Sequence, residues 1–199
     1  LKTPKQFSGC LIPHSTSMLN FTLQPLSPHD RPTFIRQLQH AFQAAFEHQP
    51  NAPQEFVISE REITESLDTE HAQAFGVWVA GKLSGGVVLS IRPNHFNALD
   101  LFYIDRAAHG QQLGFRVWQA VEQMFPETIV WETHTPYMEK RNIHFYVNKC
   151  GFQIVEFFHA KHPDPHQTDT AFDGSDEFFR FEKWMKPQHQ FIFQAAANA

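Results

Sequence analysis

Arg141-Asn142-Ile143-His144-Phe145-Tyr146-Val147-Asn148-Lys149-Cys150-Gly151-Phe152 is the stretch from which the fold is read. The pattern predicts a helix from Lys140 to Lys149, and Gly151 stands where a helix C-terminus takes a left-handed residue. Phe152 leads into an apolar strand, Gln153 to His159. On the other side, Ile129-Val130-Trp131-Glu132-Thr133 follows Pro126 and reads as a strand, so the helix joins two strands.

Further upstream, a strand from Asn97 to Ile104 passes through Asp105-Arg106-Ala107-Ala108 into His109-Gly110-Gln111-Gln112-Leu113-Gly114. A helix carrying Leu113, Val117, Val121 and Met124 follows. A loop between a strand and a helix can turn backbone N–H groups and the helix N-terminus toward an anion, and pyrophosphate suits it. Before it lie two strands, Ala74 to Ala80 and Gly85 to Ile91, joined by a hairpin turn around Gly81-Lys82 and ended by Arg92-Pro93-Asn94. Ser59-Glu60-Arg61-Glu62 is a capping box leading into a short helix with Ile63 and Leu67.

Near the start, Phe21 to Gln24 alternates like a strand, and Ser27-Pro28-His29-Asp30 offers a helix start. Phe34, Leu38, Ala41, Phe42, Ala45 and Phe46 form an apolar face that His48-Gln49-Pro50 ends. The last strand, Phe178 to Trp184, follows a polar loop from Lys161 to Asp176. The order is strand, two helices, three strands, helix, strand, helix, two strands. It defines a mixed α/β sheet without internal repeats.

A chain of 199 residues points to one domain. With 42% hydrophobic residues, 19% charged residues and 21 Phe, it has enough apolar surface for a core. A formal charge of -5 without a Lys/Arg block argues against nucleic acid as the main partner. Cys10 and Cys150 are too few for a disulfide framework, which suits a reducing compartment. No apolar stretch approaches the ~20 residues that span a bilayer, and no signal-peptide pattern opens the chain, so the expected location is cytoplasmic, without a membrane partner. Residues 1–17, with Pro4, Gly9, Pro13 and Ser15-Thr16-Ser17, read as an extension or tag before Met18. The domain is expected to occupy 18–187, with a tail at 188–199.

Asn142, Phe145-Tyr146 and Gly151-Phe152, together with the loop at 109–114, resemble the GNAT (Gcn5-related) N-acetyltransferase superfamily. Gly110 and Gly114 match the family's loop, whereas His109 replaces the usual Gln or Arg and Gln112 stands where Gly is usual. The element order from 18 to 185 also matches. The resemblance implies a single-domain α/β (α+β) fold: a mixed, mostly antiparallel sheet with splayed central parallel strands, flanked by helices. It implies an enzyme that transfers an acetyl group from acetyl-CoA to a primary amine by direct attack in a ternary complex. The alternative is a non-catalytic CoA-binding or sensing module. Monomer and homodimer both stay open.

By the same resemblance, Phe102, Tyr103 and Ile104 should pair with the pantetheine arm as an added strand would. His109, Gly110, Gln111, Gln112, Leu113, Gly114 and Phe115 should hold the pyrophosphate, with Asn142, Phe145, Tyr146 and Lys149 completing the cofactor site. Tyr146 is the expected general acid for the departing thiolate; the other reading is a packed aromatic. For the base, Glu132 is the first choice, with Asp100 and a water-relayed His134 as alternatives. Alternation puts Glu132 and His134 on one face of their strand, and a solvated strand-end carboxylate is the other reading of Glu132. His159, His162, His166 and Asp164 lie around Pro163 and Pro165 with no pre-set ligand face, so no metal is expected. Asp164, Asp169, Asp173 and Asp176 could form an acidic rim for a cationic amine.

Overall fold

The computed structural model describes residues 20–44, 56–110, 112–165 and 177–186. The expectations for 1–17 and 188–199, and for Ala45, Phe46, His48-Gln49-Pro50, Cys10, Gln111, His166, Asp169, Asp173 and Asp176, lie outside the described residues. The elements are β1 (Phe21–Pro25), α1 (Arg31–Gln43), α2 (Glu60–Asp68), β2 (Ala72–Val79), β3 (Lys82–Ser90), β4 (Phe96–Ile104), α3 (Leu113–Met124), β5 (Val130–Pro136), α4 (Lys140–His144), β6 (Gln153–Phe158) and β7 (Phe178–Trp184). The strands form one sheet in the order β1-β2-β3-β4-β5-β7-β6. Within it β4 and β5 are parallel, and the other neighbours are antiparallel. This is the splayed mixed sheet that the sequence led us to expect.

Both faces of the sheet are apolar, which is why its strands read as near-continuous hydrophobic runs. Val87, Leu89, Leu99 and Trp131 pack under α3 with Leu113, Val117, Trp118 and Val121. On the opposite face Val88, Leu101 and Tyr103 pack under α1 and α2 with Phe34, Leu38 and Ile63. Each fully buried Leu, Val or Phe contributes ~1.5–3 kcal/mol. The helix α1 can approach because β3 has no side chain at Gly86: a Cβ there would stand 2.0 Å from Phe34 Cε2.

Local chemistry sets most of the boundaries. Ser59 accepts from the Glu62 N–H while Glu62 accepts from the Ser59 N–H, the reciprocal cap that starts α2. Ala80 and Gly81, both at positive φ (49° and 76°), turn β2 into β3.

Three expectations need correction. The first helix begins at Arg31, with Pro32 rather than Pro28 in its first turn. Ser27 to Asp30 instead form a turn closed by Ser27 Oγ donating to Asp30 Oδ2 at 2.6 Å. The stretch from Lys140 to Lys149 is not one regular helix: α4 ends at His144, and Phe145–Cys150 continue as a wider π-helical turn. Met124, expected on the apolar face of α3, is 42% exposed at its end.

Candidate active site

The cleft originates in an irregularity of β4. Opposite β3, Val88 pairs with Leu101 and Leu89 with Leu99, so Asp100 is an extra residue without a partner. The bulge reverses the alternation: Leu99 packs toward α3, whereas Leu101, two residues on, packs toward α1. Such an insertion bends its strand and re-aims side chains. The pairing of β4 with β5 runs from Phe96↔Val130 to Ala98↔Glu132 and goes no further. Beyond it β4 follows β3 to Ile104 and β5 follows β7 to Pro136. At the point of divergence Thr133 Oγ1 donates to the Leu99 carbonyl at 2.8 Å.

A cavity of about 750 Å³ occupies this opening, within the usual size range of ligand pockets. The Tyr103 carbonyl faces β3, 2.7 Å from where a Gly85 Cβ would stand. By strand alternation the backbone groups of Phe102 and Ile104 therefore face the cleft. The Ile104 carbonyl accepts from His109 Nε2 at 2.9 Å.

One end of the cavity is built by the loop. Asp105 Oδ1 accepts from the Ala107 N–H at 2.9 Å and starts a single 3-10 turn, Arg106–Ala108. Gly110 then takes φ 117°, and Gln112 the left-handed region at φ 56° and ψ 28°, a conformation that costs any residue but glycine. The helix α3 begins without a side-chain cap, so the N–H groups of its first turn at Gly114 and Phe115 point back into the loop. Arg141 Nη2 donates to His109 Nδ1 at 3.0 Å. His109 thereby joins β4, the loop and α4. Arg106, Lys140, Arg141 and Lys149 line the cavity and outnumber Glu139, which lines it beside them, so this part of the wall is net basic. Arg141 carried no assigned role in the sequence, because its partner is 32 residues away.

Tyr146 opens onto the middle of the cavity from the π-helical turn. It is 7% exposed and lies beside Thr133. Burial pushes the phenol well above its ordinary pKa, so it stays protonated at neutral pH. Its carbonyl accepts from both the Gly151 and the Phe152 N–H groups, which fixes the wide turn. Cys150, on the same turn, is buried beside the Lys183–Glu122 ion pair, and burial pushes its thiol up to about 12.

The other end is acidic. Asp100 and His134 both reach the cavity. Ser90 Oγ donates to Asp100 Oδ2 at 2.7 Å, and desolvation raises that carboxyl. Desolvation lowers His134 below the usual imidazole range. Phe42 and Val57 close this end from the side of α1 and α2, and Met138 from the end of β5. Phe102, Tyr103, Ile104, His109, Gly110, Gln112, Leu113, Gly114, Phe115, Asn142, Phe145, Tyr146 and Lys149 all line this one cavity. Glu132 does not; its Oε2 accepts from Arg180 at 3.1 Å instead. His159 and His162 pair through two backbone hydrogen bonds, and His162 Nε2 meets Glu156 Oε1 at 2.9 Å. Among the described residues no three His, Cys, Asp or Glu side chains gather in a way that could hold a metal ion, and no helix is long and apolar enough to cross a membrane.

Known proteins share this fold. Residues 35–152 match the acetyltransferase (GNAT) family. An uncharacterized protein of Bacillus subtilis (strain 168), YrkN, is 42% identical over 166 residues, covering 79% of this chain and 89% of that protein. The ribosomal-protein-S18-alanine N-acetyltransferase of Escherichia coli superposes with a TM-score of 0.60 at 15% identity, covering 83% of this chain and 94% of its own. A GNAT family acetyltransferase from Elizabethkingia anophelis, solved with acetyl-CoA bound, gives 0.57 at 14% identity, with 83% and 98% covered. At these identities the solved structures speak for the fold, and the family match spans more than half of the sequence. The chain belongs to the acetyltransferase (GNAT) family.

Proposed function

We propose that the protein transfers an acetyl group from acetyl-CoA to a primary amine by direct attack within a ternary complex. The observation that carries this reading is the divergence of β4 and β5 after Ala98↔Glu132, which opens a cavity beside unpaired strand backbone, an uncapped helix start and Tyr146. The pantetheine arm pairs with Phe102 and Ile104, and the pyrophosphate lies against the 109–115 loop with Arg141 and Lys149 at hand. A backbone N–H of β4 donates to the thioester carbonyl as the oxyanion forms, worth ~3 kcal/mol for one donor. Tyr146, kept protonated by burial, gives its proton to the departing thiolate.

Two observations support the second reading, a CoA-binding module without turnover. His109 occupies the Ile104 carbonyl, and Gln112 holds a strained position in the phosphate loop. Thiol release from acetyl-CoA, followed with a panel of primary amines for wild type and Tyr146→Phe, separates the two. The acetyltransferase reading expects amine-dependent release that falls ~10²–10⁴-fold in Tyr146→Phe with CoA affinity retained. Tight CoA binding with no turnover on any amine selects the module.

A further inference from the structure

The sheet face carrying Asp100 and His134 also bears a charged network across β5, β7 and β6. Arg180 Nε donates to Glu156 Oε2 at 3.0 Å, and its Nη1 donates to Glu132 Oε2 at 3.1 Å and to Glu182 Oε1 at 2.6 Å. One guanidinium therefore holds three carboxylates from three strands. Such charge-assisted bonds occupy the carboxylate oxygens with a fixed partner. Glu132 is held in this way, outside the cavity wall.

His134, two residues further along the same face, is in the wall. Its ring stacks on Phe158 of β6, with centroids 6.2 Å apart and planes at 20°, and Phe158 also stacks with His162 at 5.7 Å and 12°. The stack fixes the plane of the imidazole. Among the described residues no group hydrogen-bonds to either of its nitrogens. Across the cleft stands Asp100, presented by the bulge. The charges that face His134 are Glu132, Asp164, Asp100 and Arg180; the three carboxylates favour its protonation, while Arg180 and the dominant desolvation oppose it.

We infer that the acceptor enters as an alkylammonium ion held by Asp100, and that His134 is the catalytic residue that removes its proton. The inference rests on the acetyl-transfer reading of the cleft. The ammonium N–H bond breaks and its proton moves to a lone pair of the neutral imidazole, from which it passes to solvent. The nitrogen lone pair then forms the new C–N bond at the thioester carbon. As the C–S bond breaks, the thiolate takes a proton from Tyr146, which is restored by the proton that the attacking nitrogen loses.

An imidazole lowered by desolvation is neutral, and competent as a base, at all pH values above its depressed pKa; acid switches it off. With neutral His134 and charged amine both required, kcat/KM for an alkylamine should be bell-shaped in pH. The acid limb should fall below the ~6.5 of an unperturbed imidazole, and the alkaline limb at the pKa of the amine itself. In His134→Gln the acid limb should vanish, leaving a single rise up to the pKa of the amine, with the neutral-pH rate reduced ~10²–10⁴-fold. Asp100→Asn should raise the KM for the amine more than it lowers kcat. Glu132→Gln should keep the bell shape.

A wild-type acid limb that persists in His134→Gln, or that disappears in Glu132→Gln, overturns the assignment while leaving acetyl transfer intact. Wild-type protein that binds acetyl-CoA and releases no thiol with any amine overturns both. NMR titration of the imidazoles in the CoA complex is an independent check, the His134 signal being the one lost in His134→Gln. Titration below ~6.5 supports the role, and titration above neutrality contradicts it.

Discussion

Thr133 ties the chemistry to the geometry at the level of single atoms. Its hydroxyl donates to Leu99 where the strands part, and it lies beside the Tyr146 phenol. Replacing it with Val leaves the buried Leu99 carbonyl without this donor, so Thr133→Val should cost ~1–3 kcal/mol of stability in denaturant unfolding. It should also lower kcat while leaving the KM for acetyl-CoA within a few-fold, since no cofactor contact is removed. Equal losses in both constants would mean that Thr133 shapes the cavity rather than Tyr146. Tyr146 and Asn142 were legible in the sequence because their spacing to Gly151-Phe152 is local. The fate of Glu132 was not legible: alternation along β5 correctly placed it beside His134, but its partner Arg180 is 48 residues away on a strand that the topology inserts between β5 and β6.

Among the elements, β4 decides the site and β3 decides how α1 meets the sheet. Gly86→Ala would drive a methyl group into the Phe34 ring, an overpacking expected to cost ~1–3 kcal/mol. Thermal unfolding should show the loss, and adding Phe34→Leu should recover part of it because the two sites share one contact. Full additivity of the two changes would contradict the close approach. The strands and most helices were readable from periodicity and turn chemistry, as the capping box at Ser59 illustrates. Two features escaped that reading. The Asp100 bulge leaves composition untouched and shows itself only as Leu99 and Leu101 packing on opposite faces. The widened turn at Phe145–Cys150 keeps apolar residues at helix-like spacing, so periodicity cannot distinguish it from a regular helix.

Taken whole, the molecule is a sheet opened at one seam, with the resulting cavity basic at the loop end and acidic near Asp100. That gradient suits a donor rich in phosphate entering from one side and a cationic acceptor from the other. A ligand bound only by the folded state stabilises it by ~2.7 kcal/mol at a hundredfold excess over Kd, so saturating CoA should raise Tm by roughly 5–10 °C for a chain of this size. The gain should shrink as salt screens Arg106, Arg141 and Lys149; a salt-independent shift would place the phosphates elsewhere. The central claim is acetyl transfer in the β4/β5 cleft, and the most direct measurement quantifies thiol and acetylated amine together in one reaction with acetyl-CoA and an alkylamine. The account predicts equal amounts of both, each lost in parallel in Tyr146→Phe. Thiol released without acetylated amine, or CoA bound with neither product formed, would contradict it.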